Sequence, residues 1–390
     1  MEIRRIKTGT EFVEVEKIMS VAFNGKLNLQ ETVGRYAEKT VSDLDIAYGA
    51  FDDNGKMMAS VINNQYQAYF DGTPVLMGGV GGVATLPQYR MSGAIRHIMQ
   101  KLLSDAYANG EVFSSLFPFS HIFYRKFGYD IVDSMMIYTF PTEDAAAFPF
   151  NGNAELLDKD SDVTFLKDVY NEWARGFNTC VMRTEAQMKD RLHPNPFEDN
   201  VYLYVLYEDD APAGYIYFNV SRKKDGESVM DISELVYTSR SSFFSLLSMA
   251  GRMRASYKNA RVRLPASFVF PSLFAEPYDI TVENDECMMA RIVNAEKSLS
   301  VMKSDEPFTI RVEDPFLPVN TDTYRVADGK VSRTDEVSEL TVSIQTFTQL
   351  VLGYIGIAEA LYKPDTLLTG DTAKFERIFR KKPILISNYF

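Results

Sequence analysis

The stretch from Val80 to Gln100 constrains the fold of this chain more than any other. It begins with an apolar, glycine-containing run, Val80 to Thr85, which is too short for a helix and predicts a buried strand. Pro87 ends that strand, because proline has no N–H to donate to a neighbouring strand. The helix that follows has apolar residues at helical spacing, namely Ile95, Ile98, Met99, Leu102, Leu103 and Ala106. The predicted order is therefore strand, tight loop and helix.

The start of this helix is a candidate anion-binding site. Ser92 and Gly93 lie where free backbone N–H groups and the positive end of the helix dipole favour negative charge. Gly93 lets the backbone approach a ligand closely, and Arg90 and Arg96 add fixed positive charge. The arrangement suits a pyrophosphate that is held without the lysine of a Walker loop. Because an arginine and a glycine at this spacing also follow strands by chance, the pattern alone leaves both interpretations open.

A second motif follows the helix. Val112 to Phe117 predicts another buried strand, and F-S-H-I-F-Y-R-K-F-G-Y, Phe119 to Tyr129, predicts a short helix and a turn. The succession of V-A-T-L-P-Q-Y-R-M-S-G, F-Y-R-K-F-G-Y and a final aromatic residue resembles the Eis (enhanced intracellular survival) family of GNAT-superfamily acetyltransferases. The resemblance extends over the whole chain in length and layout, and its motifs are specific in the first third and at the terminus.

The resemblance implies a mixed α/β, α+β protein with two tandem GNAT-like domains and a sterol-carrier-like C-terminal domain. The helices and strands predicted from the sequence fit this order. We expect the first domain, with the acetyl-CoA site, at residues 1–147, the second at 148–287 and the third at 288–390. In the second copy, T-S-R-S-S-F (Thr238 to Phe243) replaces the phosphate loop and has no glycine equivalent to Gly93. We therefore interpret this copy as degenerate and structural.

Composition argues against several classes of partner and site. The 53 acidic and 41 basic residues give a net charge of −12, which disfavours nucleic acid and anionic membranes and suits an amine substrate. No run approaches the roughly 18 apolar residues of a membrane span, and the first residues lack a signal-peptide core, so we expect a cytoplasmic protein. Cys180 and Cys287 are far apart and the three histidines are scattered, which predicts neither a disulfide framework nor a metal site.

The resemblance also implies which residues contact acetyl-CoA. In this fold the backbone at the end of the first motif's strand pairs with the pantetheine amides, and the following loop and helix start hold the pyrophosphate. Phe119 and Ser120, which stand at the start of the second motif before its short helix, line the later part of the cofactor. The residues expected to bind the cofactor are Val83, Ala84, Thr85, Arg90, Met91, Ser92, Gly93, Ala94, Ile95, Arg96, Phe119 and Ser120.

Acetyl transfer to an amine needs a proton donor for the leaving thiolate and an acceptor for the proton of the ammonium group. Tyr124 stands where the family places its general acid, and a phenol with a pKa near 10 stays protonated at neutral pH. The family places its general base at the C-terminal carboxylate, here that of Phe390. The apolar tail from Ile384 to Phe390 would bury this carboxylate and raise its pKa. Alternatively, the tail is a last strand that completes the third domain's sheet.

The sequence leaves the acceptor open. Eis proteins that acetylate aminoglycosides usually carry acidic residues where this chain has Asn24, Asn28 and Tyr389, so we expect a less cationic amine on a small molecule or peptide. The resemblance further implies a homo-oligomer, a ring-like hexamer. The alternative function is that of a non-catalytic binding protein that holds a lipid or hydrophobic ligand in its C-terminal domain.

Overall fold

The computed structural model describes residues 1–37, 39, 46–222, 226, 228–285, 287–302, 304 and 306–388. The described residues form two compact units. Unit 1 combines the segments 1–132 and 288–390, and unit 2 is the intervening segment 133–287. No helix in the described part of the chain has both the length and the apolar composition needed to cross a membrane.

The described residues of the first segment of unit 1 form six strands and four helices. The strands are β1 (Glu2–Arg5), β2 (Ile46–Phe51), β3 (Met57–Phe70), β4 (Thr73–Thr85), β5 (Phe113–Leu116) and β6 (Asp130–Ile131). The helices are α1 (Gly9–Ala22), α2 (Leu29–Tyr36), α3 (Ala94–Ala108) and α4 (His121–Arg125). Thr8 caps α1, since its side chain accepts from the backbone N–H of Glu11 at 3.2 Å.

Unit 2 follows, and the part of it that the structure describes has seven strands and four helices. The strands are β7 (Met135–Pro141), β8 (Asn153–Leu157), β9 (Val201–Glu208), β10 (Ala211–Arg222), β11 (Ser228–Tyr237), β12 (Asn259–Pro265) and β13 (Thr281–Asn284). The helices are α5 (Thr142–Ala145), α6 (Leu166–Ala174), α7 (Glu185–Arg191) and α8 (Arg240–Arg252). The seven strands form one sheet in the order β13-β7-β12-β11-β10-β9-β8.

The last segment returns to unit 1. Its strands are β14 (Met289–Ile292), β15 (Phe308–Glu313), β16 (Asp322–Ala327), β17 (Lys330–Arg333), β18 (Leu340–Ser343) and β19 (Leu367–Leu368). Its helices are α9 (Ala295–Val301), α10 (Ile344–Leu352), α11 (Ile357–Ala360) and α12 (Thr372–Ile378). Five of these strands form a sheet of their own, β17-β16-β15-β18-β19, whereas β14 does not belong to it.

The main sheet of unit 1 has seven strands in the order β1-β2-β3-β4-β5-β14-β6. Its pairings are antiparallel except for the parallel pair β4–β5. Buried residues of α3, including Ile98 and Leu102, belong to one core cluster, and those of α1, including Phe12 and Val15, belong to another. The sheet is thus packed between helices, and the β4–β5 pair that carries both sequence motifs lies inside it.

Two strands depart from the expected domain boundaries. The sequence predicts one strand, Ile131 to Phe140, inside a domain that ends at residue 147. In the structure β6 ends at Ile131, and β7 pairs with β12 and β13 in unit 2. Conversely, β14 lies beyond the expected boundary at residue 288 but pairs with β5 and β6. An apolar strand shows in its sequence that it is buried, but not which distant strand it pairs with.

Candidate active site

The end of β4 is irregular in a way that its two glycines explain. Ser60 of β3 lies opposite Ala84, but Ile62 lies opposite Gly81, so β4 has one extra residue between these pairs. Gly82 adopts a φ of +56° there. A Cβ atom on Gly82 would come 3.1 Å from the Sδ atom of Met19 and about as close to Ile62. The bulge therefore requires glycine at this position.

Beyond the bulge, β4 continues past the end of its parallel neighbour. Pairing with β5 runs only from Met77 opposite Phe113 to Val80 opposite Leu116, whereas β3 stays paired with β4 as far as Thr85. Among the described residues no strand pairs with the β5-facing edge of residues 81–85. This edge, which includes Val83, Ala84 and Thr85, offers backbone donors and acceptors to an extended ligand.

The loop from β4 to α3 places a helix N-terminus beside this open edge. Met91 has a φ of +67° and a fully exposed side chain, and Gly93 has a φ of +81° at the N-cap of α3. Among the described residues no side chain caps α3 in the manner of an N-cap residue, and no acidic residue lies in its first turn. Ser92 Oγ makes only a 3.4 Å contact with the N–H of Ala94. The first backbone N–H groups of α3 are therefore available to an anion.

Two arginines strengthen the positive charge of this site. Arg90 and Arg96 are exposed, and neither has a carboxylate of a described residue within ion-pair distance. The Arg96 guanidinium lies 5.4 Å from the ring centroid of Phe316, within the range of a cation–π contact. Ala94 is buried and Ile95 is half-buried against the core, which fixes the first turn of α3.

Helix α4 holds Tyr124 in a cluster of aromatic rings. Ser120 caps the helix, since its Oγ accepts from the N–H of Phe123 at 3.3 Å. The ring of Phe119, which is exposed, lies 5.2 Å from that of Tyr124, and the Phe123 ring lies at the same distance. The Tyr124 side chain is buried, and no described residue forms a hydrogen bond with its hydroxyl. Burial, with a smaller contribution from Tyr129, raises the pKa of Tyr124 well above its ordinary value.

The corresponding helix of unit 2 has an occupied N-terminus. Ser239 Oγ accepts from the N–H of Ser242 at 3.0 Å, and Ser242 Oγ accepts from the N–H of Ser239 at 3.0 Å. Ser241 Oγ donates to a carboxylate oxygen of Glu208 at 2.6 Å. These contacts satisfy two backbone donors and bring a negative charge to the start of α8, so this end is unsuited to a second anion.

Family models and solved structures agree with this architecture. Residues 2–132 and 179–292 each match a model described as an acetyltransferase (GNAT) domain, and residues 294–386 match a sterol carrier protein domain. The chain contains two GNAT acetyltransferase domains followed by a sterol carrier protein domain. The predicted order of two GNAT domains and a sterol-carrier-like domain is confirmed. The presence of these domains supports acyl transfer, and GNAT domains generally use acetyl-CoA.

Three solved structures share this fold over the full length of both chains. They are a GCN5-related N-acetyltransferase of Anabaena variabilis (TM-score 0.86, 20% identity), a probable N-acyltransferase of Enterococcus faecalis (0.85, 24%) and Eis1 of Mycobacterium abscessus (0.84, 19%). At these identities the likeness concerns the fold, which is Eis-like. A comparison with curated protein sequences gives no significant match.

The structure brings most of the predicted GNAT site residues together. The open edge at 83–85, the loop and helix start at 90–96 and the Phe119–Tyr124 turn all lie around the end of the β4–β5 pair. Phe390 lies outside the described residues. The described part of the chain contains no group of three or more His, Cys, Asp or Glu side chains that could hold a metal ion.

Sequence reasoning missed two features near the site. One is the bulge at Gly82, for which the Gly81-Gly82 pair inside an apolar strand was the available signal. The other is a buried ion pair between Arg291 and Asp314. Its signal was a lone arginine within the apolar run from Met288 to Val293, since a charged residue in such a strand requires a buried partner.

Gly93→Leu is expected to weaken coenzyme A binding by about tenfold or more, because a side chain at the start of α3 fills the space that a diphosphate needs. The positive φ also strains any other residue there, by about 1–2 kcal/mol. Gly329→Leu is the matched control, since Gly329 has a φ of +70° and a Cβ atom added there would have nothing within 4 Å. Isothermal titration with coenzyme A should separate the two variants. Normal binding by Gly93→Leu, or an equal loss in Gly329→Leu, would contradict the assignment.

Proposed function

We propose that the protein transfers an acetyl group from acetyl-CoA to an amine of a small molecule or peptide. The observation that supports this proposal is that three features of unit 1 lie around the end of the β4–β5 pair. They are the unpaired edge of β4, the open N-terminus of α3 and the buried Tyr124 on α4. The first suits the amides of pantetheine, the second suits a pyrophosphate, and the third suits a leaving thiolate.

The cofactor contacts follow from these features. The backbone of Val83, Ala84 and Thr85 would hold the pantetheine arm as an added strand. The N–H groups at the start of α3 would hold the pyrophosphate, with Arg90 and Arg96 supplying charge. Phe119 and Ser120, which precede α4, would line the thioester end of the cofactor. This arrangement leaves the acetyl group beside Tyr124.

Tyr124 is proposed as the general acid. The amine nitrogen attacks the thioester carbonyl carbon, the C–S bond breaks, and the thiolate takes the phenolic proton of Tyr124. Two observations support this role. Tyr124 makes no hydrogen bond to a described residue that would hold its hydroxyl elsewhere, and burial raises its pKa, so the hydroxyl stays protonated at neutral pH.

The carboxylate of Phe390 is proposed as the general base that removes a proton from the substrate's ammonium group, so that the neutral amine can attack. Chain length supports this role. The N–H of Lys382 donates to the carbonyl of Gly353, just after α10, and Gln345 at the start of α10 donates to the carbonyl of Arg125 on α4. The helix between these contacts spans roughly 12 Å. The eight residues beyond Lys382 can reach about 26–29 Å. The carboxylate can therefore reach the neighbourhood of Tyr124.

The proposed acceptor is an amine with little additional positive charge. Asn28 is engaged as the N-cap of α2, where its Oδ1 accepts from the N–H of Glu31 at 3.3 Å, and Asn24 is likewise uncharged. These two residues, at the α1–α2 connection, thus bring no carboxylate to attract a polycation. The negative net charge of the chain still favours a cationic group on the substrate.

The pH dependence of the rate should reflect the state of Tyr124. A general acid acts in its protonated form, so activity is lost only as the pH rises through its pKa. Because burial raises this pKa, kcat should rise with pH as the base and the amine lose protons, and then stay level to at least about pH 10. Steady-state rates between pH 6 and pH 10 test this expectation. A decline between about pH 7 and pH 9 would contradict a buried tyrosine as the acid.

The activity itself is tested by incubating the purified protein with acetyl-CoA and a panel of amines. Thiol release should depend on the amine, and mass spectrometry should find the acetylated product. Thermal stabilisation should occur with coenzyme A, by RT ln(1 + [L]/Kd). Stabilisation by a fatty acyl ligand, with no stabilisation by coenzyme A and no thiol release, would favour a lipid-binding protein instead.

A further inference from the structure

A buried ion pair connects the sterol-carrier-like part of unit 1 to the turn that follows the helix of Tyr124. Arg291 lies on β14, and Asp314 lies in the loop after β15. Their side chains are fully buried, and Arg291 Nη2 contacts Asp314 Oδ2. Removing two charges from water is unfavourable, and apolar residues of similar volume often stabilise a protein equally well. Stability alone therefore gives little reason for a charged pair at this position.

The hydrogen bonds of the pair fix both side chains. Arg291 Nη1 donates to the backbone carbonyl of Phe127 at 2.5 Å. Asp314 Oδ1 accepts from the N–H of Leu317, and Oδ2 accepts from the side-chain amide of Asn320, both at 3.0 Å. Arg291 itself is held by β14, which is paired on both sides with strands of the main sheet. The guanidinium thus has a single available orientation, toward the end of α4.

The contact with Phe127 acts on the helix that holds Tyr124. Phe127 lies in the turn after α4, where its N–H donates to the carbonyl of Tyr124 at 2.9 Å and where positive charge is favourable. Gly128 has a φ of +85°, and a Cβ atom there would come 2.6 Å from Arg291 Nη1. The glycine of the F-G-Y sequence is therefore what allows the guanidinium to reach the carbonyl. The contact between Arg291 and the F-G-Y sequence therefore requires glycine at position 128.

The same loop makes a second contact with the site. The Phe316 ring, two residues after Asp314, lies 5.2 Å from the ring of Phe127. Its other neighbour is the Arg96 guanidinium in the first turn of α3. One loop of the sterol-carrier-like domain therefore touches both the turn after Tyr124 and the start of the proposed pyrophosphate site.

We propose that Arg291 and Asp314 are positioning residues for acetyl transfer. Neither side chain touches the reacting atoms. The pair holds the turn that follows α4 through the Phe127 carbonyl and thereby directs the Tyr124 hydroxyl toward the thioester sulfur. The inference rests on the proposed role of Tyr124 as the acid, and it gives the sterol-carrier-like domain a part in the chemistry of the first GNAT domain.

The test replaces the pair as a unit. Arg291→Met with Asp314→Leu removes both charges and leaves no unpaired ion, although the Leu317 N–H and the Asn320 amide lose an acceptor, so the melting temperature should fall less than in either single variant. The carbonyl of Phe127 loses its donor, however, and α4 loses one of the contacts that orient it. We expect kcat to fall roughly ten- to a hundredfold, because small misplacements of a reacting group have effects of this size. The KM for acetyl-CoA should change by less than about threefold, since the pair does not contact the cofactor.

A matched control exists in unit 2. Arg183 and Glu234, both in unit 2, form a buried bidentate pair with both contacts at 2.9 Å. Arg183→Met with Glu234→Leu should leave kcat unchanged. If the Arg291/Asp314 double variant fails to fold, Arg291→Lys serves instead. It keeps the buried charge, but an ammonium cannot reproduce the guanidinium fork, and kcat should fall roughly three- to tenfold.

Combination with Tyr124→Phe separates this inference from the proposed function. If the pair acts through Tyr124, adding the Arg291/Asp314 substitutions to Tyr124→Phe should lower kcat no further. Normal kcat in the folded double variant, an equal loss in the unit 2 control, or a further loss on top of Tyr124→Phe would each overturn the positioning role. Full activity of Tyr124→Phe alone would instead overturn the proposed acid.

Discussion

Tyr124→Phe is expected to lower kcat by roughly ten- to a thousandfold while the affinity for acetyl-CoA changes little. The substitution keeps the ring and its contacts with Phe119 and Phe123 and removes only the proton donor. Steady-state rates with saturating amine, together with direct titration of coenzyme A, measure the two effects separately. A loss of cofactor affinity that accounts for the whole loss of rate would contradict the assignment.

Tyr129→Phe is the matched control for this prediction. Tyr129 lies in the same motif and is fully buried, but its hydroxyl is hydrogen-bonded to Ser114 Oγ at 2.8 Å. Burial raises the pKa of Tyr129 to about 12, so it too stays protonated at neutral pH. Its loss should cost about 1 kcal/mol of stability and leave kcat nearly unchanged. An equal fall of kcat in both variants would show that Tyr124 contributes by packing only.

Deleting Phe390 is expected to reduce kcat by a factor of roughly a hundred. The deletion moves the carboxylate back by about 3.5 Å along an extended chain, which is too far for the same proton transfer. Appending one alanine should have a similar effect, because it converts the carboxylate of Phe390 into an amide. Phe390→Leu keeps a carboxylate at this position and should retain most of the activity.

The same purification tag placed at either end tests this prediction with a single reagent. An N-terminal tag should leave the rate unchanged, and a C-terminal tag should suppress it. Full activity with the C-terminal tag would contradict the carboxylate of Phe390 as the base. The search for the base would then turn to side chains near α4.

The parts of the site that depend on neighbouring residues could be predicted from the sequence. The apolar strand, the proline and the apolar spacing of α3 are local signals, and β4 and α3 lie at the predicted places. From the sequence, a single helix is also predicted from Thr346 to Leu361. The structure has α10 and the short α11 there, because Gly353 takes a φ of +86° and ends the first helix.

The parts that depend on distant pairing could not be predicted. β7 and β14 are ordinary apolar strands in sequence, and only the assembled sheets decide that β14 pairs with β5 and that β7 pairs with β12. The contacts of Arg291 could not be predicted for the same reason. Its partners Asp314 and Phe127 are separated from it by 23 and 164 positions, and no local pattern connects them. Residue spacing predicts contacts between residues that are a few positions apart, whereas these contacts form only in the folded chain.

An experimental structure of the protein with coenzyme A bound would test the central claim most directly. We predict that the pyrophosphate contacts the N–H groups at the start of α3 and that the pantetheine pairs with residues 83–85. The thiol should lie within hydrogen-bond reach of the Tyr124 hydroxyl, directly or through one water. Binding of coenzyme A at the start of α8, or a thiol remote from Tyr124, would contradict the account.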